Sequence, residues 1–247
     1  MLRILRKLHR CAYFALVLFF FSLAYPFLLF YARNPKRNYN KIVSFRRWVS
    51  LAGIYAVGIR VKINFEKEVD WSKNYVICPN HSSFLDITVL TYLCRKPFSF
   101  MGKVELLENP ITRIFFETID IPVKRDSKIS AFRAFKRALE LLEDKKSLVI
   151  FPEGKIDDNF PPTLHPFKSG AFRLATEHNL PILPVIIQDA WKIFWDDGRK
   201  FGSKPGVIHV DVLAPIPTQH YGKENAEELE TSVYRKMKDH WDLYNKS

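Results

Sequence analysis

Residues 75–94 read YVICPNHSSFLDITVLTYLC. The apolar, β-branched run from Tyr75 to Pro79 predicts a short buried strand, and Ser83 to Cys94 has the length and composition of a helix. Between them lie Asn80, His81, Ser82, Ser83 and Asp86, so a polar cluster leaves the C-terminal end of a strand. An open α/β sheet places its ligand crevice there. With Ser82 or Ser83 as the helix cap, Asp86 falls on the first turn and reaches back toward His81. An imidazole held by a carboxylate can take a proton from a hydroxyl. The same residues also fit a structural histidine beside an aspartate that complements the helix dipole.

Working outward, the chain after Val61 alternates short apolar runs with helical stretches, the pattern of an α/β domain. Further strands are predicted at Val61–Phe65, Phe98–Met101, Ile119–Val123, Leu148–Phe151, Ile182–Gln188 and Val207–Leu213. Helices are predicted at Pro110–Glu117, Lys128–Lys146, Gly170–His178 and Ala226–Tyr244. In the second of these, Ile129, Phe132, Phe135, Leu139 and Leu142 recur at helical spacing, which predicts that this face packs on the sheet. The segment 190–206 reads as a long hairpin connection whose tryptophans pack.

The N-terminal side is different in kind. Cys11 to Ala32 is a run of 22 residues without a charge, roughly 33 Å as a helix and close to the thickness of a bilayer's hydrocarbon core. No cleavage site of the signal-peptide type follows it. Ile42 to Val61 is apolar but interrupted by Arg46 and Arg47, which reads as an interfacial helix. Residues 1–61 are therefore expected to form a membrane anchor, a helical hairpin or a single span, ahead of an α/β domain over 62–247. Arg3, Arg6, Lys7 and Arg10 precede the apolar run, and Arg33, Lys36, Arg37, Lys41, Arg46 and Arg47 follow it. Both flanks have the character of a cytoplasmic side and would favour anionic lipid.

The formal net charge is +12, yet all of the excess sits at this end: Met1 to Lys62 holds twelve Lys or Arg and no acid, and the remainder balances. A nucleic-acid enzyme would carry the excess on its folded domain beside stacking aromatics, so nucleic acid is not the expected partner. Cys11, Cys78 and Cys94 are odd in number and lack metal-ligand spacing, as do His165 and His178; buried thiols and packed or solvated imidazoles are expected.

Three more signals stand along the chain: Lys124-Arg125 after Ile121-Pro122-Val123, Phe151-Pro152-Glu153-Gly154 followed by Lys155, and Leu180-Pro181-Ile182-Leu183-Pro184-Val185. Singly, solvated charge, a turn and backbone rigidity explain them. Together with Asn80-His81 and Asp86, in this order and spacing, they resemble the glycerolipid acyltransferase family, and within it the lysophosphatidate acyltransferases. The resemblance covers about 110 residues. It includes Gly102-Lys103-Val104-Glu105-Leu106 and Pro166-Phe167-Lys168-Ser169-Gly170. One departure is plain, since many members continue Phe-Pro-Glu-Gly with Thr-Arg and this chain has Lys155-Ile156.

The resemblance implies a mixed, largely parallel sheet flanked by helices. It also implies transfer of a fatty acyl group from a coenzyme A or acyl-carrier-protein thioester to the sn-2 hydroxyl of lysophosphatidic acid, giving phosphatidic acid, with no cofactor and no metal. His81 would be the general base, oriented by Asp86. Glu153 would orient the acceptor or nearby amides, and amides near Gly154 would bind the oxyanion. Asn80, Lys103, Arg125, Lys155 and Lys168 would bind substrate. Ser82 and Ser83 sit in no Gly-x-Ser-x-Gly turn, which argues against a serine hydrolase. The place of action would be the cytoplasmic face of the inner membrane. Another lyso-lipid acceptor, such as lyso-ornithine lipid, fits the Lys155 departure, and a catalytically silent lipid-binding protein would keep the anchor without needing the His81–Asp86 pair.

Overall fold

The computed structural model describes residues 1–124, 127–156, 159–195, 201–222 and 225–245, with Lys128 described by its backbone alone. Seven strands form one sheet in the order β1-β7-β6-β2-β5-β3-β4. They are β1 (Ile59–Phe65), β2 (Val76–Pro79), β3 (Phe98–Lys103), β4 (Ile121–Val123), β5 (Ser147–Ile150), β6 (Ile182–Ile187) and β7 (Gly206–Val212). Strands β2 to β6 run parallel, β7 is antiparallel to β6, and β1 is parallel to β7. All seven predicted strands are present. Strands β2 and β6 at the centre are buried along their whole length, as expected where helices cover both faces, whereas β1 at the edge alternates exposed with half-buried residues after the buried Ile59.

Pro184 lies inside β6, a central strand, where proline is normally excluded. The β7 side explains it. Leu213 N donates to Pro184 O at 3.0 Å, and Pro184 has no N–H to return, so the antiparallel ladder begins one residue later at Val185 opposite Val212.

The helices are α1 (Leu2–Ala32), α2 (Pro35–Ala56), α3 (Asp86–Leu93), α4 (Pro110–Thr118), α5 (Lys128–Glu143), α6 (Gly170–Glu177), the short α7 (Ala190–Ile193) and α8 (Ala226–Asn245). Helices α1 and α2 form a hairpin turned at Arg33-Asn34, with the Asn34 side chain accepting from Arg37 N and Pro35 at the first helical position. They pack closely: a Cβ on Gly53 would come within 2.6 Å of Val17 Cγ2. Tyr13, Phe21, Ala24 and Leu28 of α1 are buried, while Leu18, Phe19, Leu23, Phe27 and Phe30 are exposed, and the helix is long and apolar enough to cross a membrane.

The structure differs from the sequence expectations at three places. Arg46 and Arg47, expected to face anionic lipid, turn into the protein. Arg46 is 4% exposed and pairs with Asp120 at 2.7 Å, between the rings of Phe98 and Phe100, and Arg47 donates to the carbonyls of Thr91 and Cys94 at the end of α3. Cations inside a helix that also carries apolar residues can be buried when carbonyls and a carboxylate receive them. Ile129 and Phe132, expected against the sheet, are exposed, because α5 packs through Ala134, Ala138, Leu141 and Leu142. At about 100° per residue, Phe132 lies nearly opposite Ala134. Cys11 is exposed, unlike Cys78 and Cys94. Trp191 and Trp195 are buried, as expected.

Candidate active site

Because β2 to β6 are parallel, their C-terminal ends fall on one edge of the sheet, and this edge gathers the chemistry-bearing residues from distant parts of the chain. His81 follows β2, Lys103 ends β3, Lys124 follows β4 and Glu153 follows β5.

His81 Nδ1 lies 2.9 Å from Asp86 Oδ2, with the His81 side chain 17% exposed and that of Asp86 fully buried. The serine capping expected here is not what starts α3. Leu85 holds the cap position without a side-chain bond, and Asp86 itself reaches back to accept from Ser82 N at 2.7 Å and Ser83 N at 2.8 Å. Ser83 Oγ instead accepts from Leu85 N and donates to the Phe194 carbonyl. Three donors thus converge on one oxygen of Asp86. Its other oxygen, Oδ1, is buried with no hydrogen-bond partner among the described residues. Burial pushes the Asp86 carboxyl up from its ordinary value, and the His81 bond and the two amides oppose that rise.

Glu153 is buried and fixes the backbone of the same loop: Oε1 accepts from His81 N at 2.6 Å and Oε2 from His165 N at 2.8 Å. Each carboxylate oxygen thus orients one backbone amide. Phe151 stacks on the His81 ring with centroids 4.0 Å apart. Loop and ring are therefore both held from β5.

Two expected site residues stand differently. Asn80 is 1% exposed, and both of its amide atoms engage Ile187, donating to its carbonyl and accepting from its N–H at 2.7 Å. It ties the loop to β6 through its amide oxygen and one of the two N–H donors of its amide nitrogen. The Gly154 N–H closes a turn onto Phe151 O at 3.1 Å, so it is already engaged and does not serve an oxyanion in this conformation. Gly154 has φ +72, and a Cβ there would meet Lys168 Nζ at 3.1 Å, which places the Lys168 ammonium directly over the turn. Lys103, Lys155 and Lys168 are exposed. Arg125 lies outside the described residues.

The sequence reading missed an aromatic group that joins α1 to the histidine loop. Phe84, between His81 and Asp86, is 6.0 Å from Phe194 and 5.8 Å from Phe14 of α1, and Arg10 of α1 sits over the Phe194 ring and donates to the Trp195 carbonyl. No local pattern signals contacts across such separations.

Comparison with known proteins places this arrangement. The family model described as Acyltransferase matches residues 60–188, more than half of the chain and including the loops that carry His81 and Glu153. The chain belongs to this acyltransferase family. An uncharacterised acyltransferase of Schizosaccharomyces pombe is 31% identical over 69% of this chain and 61% of its own length. The 1-acyl-sn-glycerol-3-phosphate acyltransferase of Saccharomyces cerevisiae is 28% identical over 78% of this chain and 65% of its own. The chain thus spans a little under two thirds of those two relatives. The crystal structure of PlsC from Thermotoga maritima, a 1-acyl-sn-glycerophosphate acyltransferase, superposes with a TM-score of 0.80 over 99% of this chain and 98% of that one. At 18% identity, that likeness shows the fold.

Proposed function

We propose that this chain moves a fatty acyl group from a coenzyme A or acyl-carrier-protein thioester to the sn-2 hydroxyl of lysophosphatidic acid, giving phosphatidic acid, at the cytoplasmic face of a membrane that α1 enters. The observation that carries the reading is the His81–Asp86 pair at the open edge of the sheet. With Nδ1–H donating to the carboxylate, Nε2 keeps its lone pair and can accept the proton of an acceptor hydroxyl. The hydroxyl oxygen then attacks the thioester carbonyl. As the C–S bond breaks, the imidazolium returns its proton to the leaving thiolate. Asp86 steadies the charged imidazole throughout, and no acyl-enzyme forms.

Glu153 acts one step removed, holding His81 through its amide. Lys103, Lys155 and Lys168 supply positive charge along the edge, and Arg125, next in sequence after Lys124, supplies the bidentate donor that suits a phosphomonoester. The names of the curated relatives support lysophosphatidic acid as acceptor. Lys155-Ile156, in place of Thr-Arg, favours a second reading in which another lyso-lipid, such as lyso-ornithine lipid, is the acceptor.

The test is to give purified protein each lyso-lipid with each donor type and identify products by mass. Phosphatidic acid as the dominant product supports the first reading. Acylation of only a phosphate-free lyso-lipid would replace it with the second.

A further inference from the structure

Ile129 and Phe132, on one face of α5, are 67% and 71% exposed, and nothing among the described residues covers them. Large apolar side chains this open and one turn apart form an adjoining pair, and an apolar patch rimmed by polar residues can serve as a contact surface. Their setting is basic. Arg133 and Lys136 are exposed beside them, and Ser127 to Leu139 contains four Lys or Arg and no acid. Their position matters as much as their chemistry, because α5 begins just past the C-terminal end of β4, at the same sheet edge as His81. Exposed Lys103, Lys124, Lys155 and Lys168 belong to that edge too.

We infer that the first turns of α5 are a second membrane contact, separate from α1, in which Ile129 and Phe132 enter the headgroup region of an anionic bilayer and the surrounding cations bind its lipid phosphates. An amphipathic helix with large apolar residues on one side and Lys or Arg around them binds such a surface in this way. An acidic carrier protein offers similar charge. A bilayer is the occupant the observations favour, because a membrane-borne acceptor must reach His81 from this edge whatever the donor. That last step rests on the proposed function. The exposed apolar pair and its charges do not.

The test uses the full chain in vesicles of phosphatidylcholine with phosphatidylglycerol. A nitroxide is attached at Phe132→Cys, and separately at Ile129→Cys, in a Cys11→Ser background. Power saturation then compares access of oxygen with access of a water-soluble nickel chelate. The inference expects oxygen access to exceed nickel access at both positions, and the difference to shrink without phosphatidylglycerol. Water-like access at both positions would overturn it. So would protection that appears only on adding acyl-carrier protein, or only as protein concentration rises without lipid, which would mean a protein partner or a second copy. A paired Ile129→Ser, Phe132→Ser variant should lose at least fivefold in rate on bilayer-borne acceptor, with the rate on a dispersed short-chain acceptor unchanged. Because the spin-label readout needs no turnover, insertion without acylation of any lyso-lipid would leave the contact standing and refute the functional reading alone.

Discussion

Replacing Arg46 with methionine tests how the N-terminal hairpin is joined to the domain. Arg46 and Asp120 are 4% and 5% exposed, and their 2.7 Å contact is supported by donation from Arg46 to the Phe98 carbonyl and from Phe100 N to Asp120. Removing the guanidinium leaves a carboxylate buried without its counter-charge, a change that costs about 3–5 kcal/mol. For a chain of this size that corresponds to a fall in melting temperature of roughly 6–20 °C. Burial already pushes the Asp120 carboxyl up, and Arg46 is the largest influence holding it down. Without Arg46 it rises further above its unfolded value, so the folded variant binds more protons than the unfolded one. The stability of Arg46→Met should therefore be greatest below the ordinary carboxylate value and fall as pH rises from there through the raised value of the folded state. Adding Asp120→Asn should restore most of the loss, since the amide oxygen still accepts from Phe100 N while the buried charge is gone. The assay is thermal and denaturant melting in detergent micelles across pH. A loss under about 1 kcal/mol, or a penalty independent of pH, would refute the reasoning. The same pair means that deleting residues 1–61 strips the counter-charge from Asp120, so the truncated domain should be unstable.

Glu153→Gln should lower turnover at least tenfold and cost about 1–3 kcal/mol of stability, because the amide nitrogen cannot accept and one of His81 N and His165 N is left buried without its acceptor; steady-state kinetics beside a melting curve will check this. Gly154→Ala should cost about 1–2 kcal/mol, since the residue sits at positive φ, and should also displace Lys168; melting and the Michaelis constant for the acceptor together report both effects. Arg125→Ala should lower the specificity constant for lysophosphatidic acid at least tenfold, about 1.4 kcal/mol, while leaving donor affinity nearly unchanged. Arg125→Lys should recover only part of it, and equal effects on all acceptors would make the arginine structural.

Much of this fold was legible because its signals are local. Each buried central strand is a short β-branched run bounded by turn residues, so β2, β5 and β6 could be placed within a residue or so. The His81–Asp86 pair was legible for the same reason, its members being five positions apart. What escaped the sequence depends on long-range contact. Whether Arg46 meets lipid or Asp120 is decided by where α2 docks, and no pattern within α2 records that. That Asn80 also bonds the backbone of Ile187 on β6 is not recorded in the residues around it. In α5 the spacing of Ile129 and Phe132 was helical, as expected, but small residues at Ala134 and Ala138 let the opposite face approach the sheet. The seryl cap was displaced by Asp86, whose carboxylate satisfies two amides at once where a hydroxyl satisfies one.

Acyl transfer as proposed turns on His81 moving the proton. The direct measurement is the single-turnover rate of His81→Ala, with folding verified by melting and substrate binding verified by equilibrium titration. Loss of general-base assistance predicts a fall of about a hundred- to ten-thousand-fold with binding of acceptor and donor retained. A folded, substrate-bound His81→Ala protein that still transfers the acyl group at a rate near that of the parent would contradict the account.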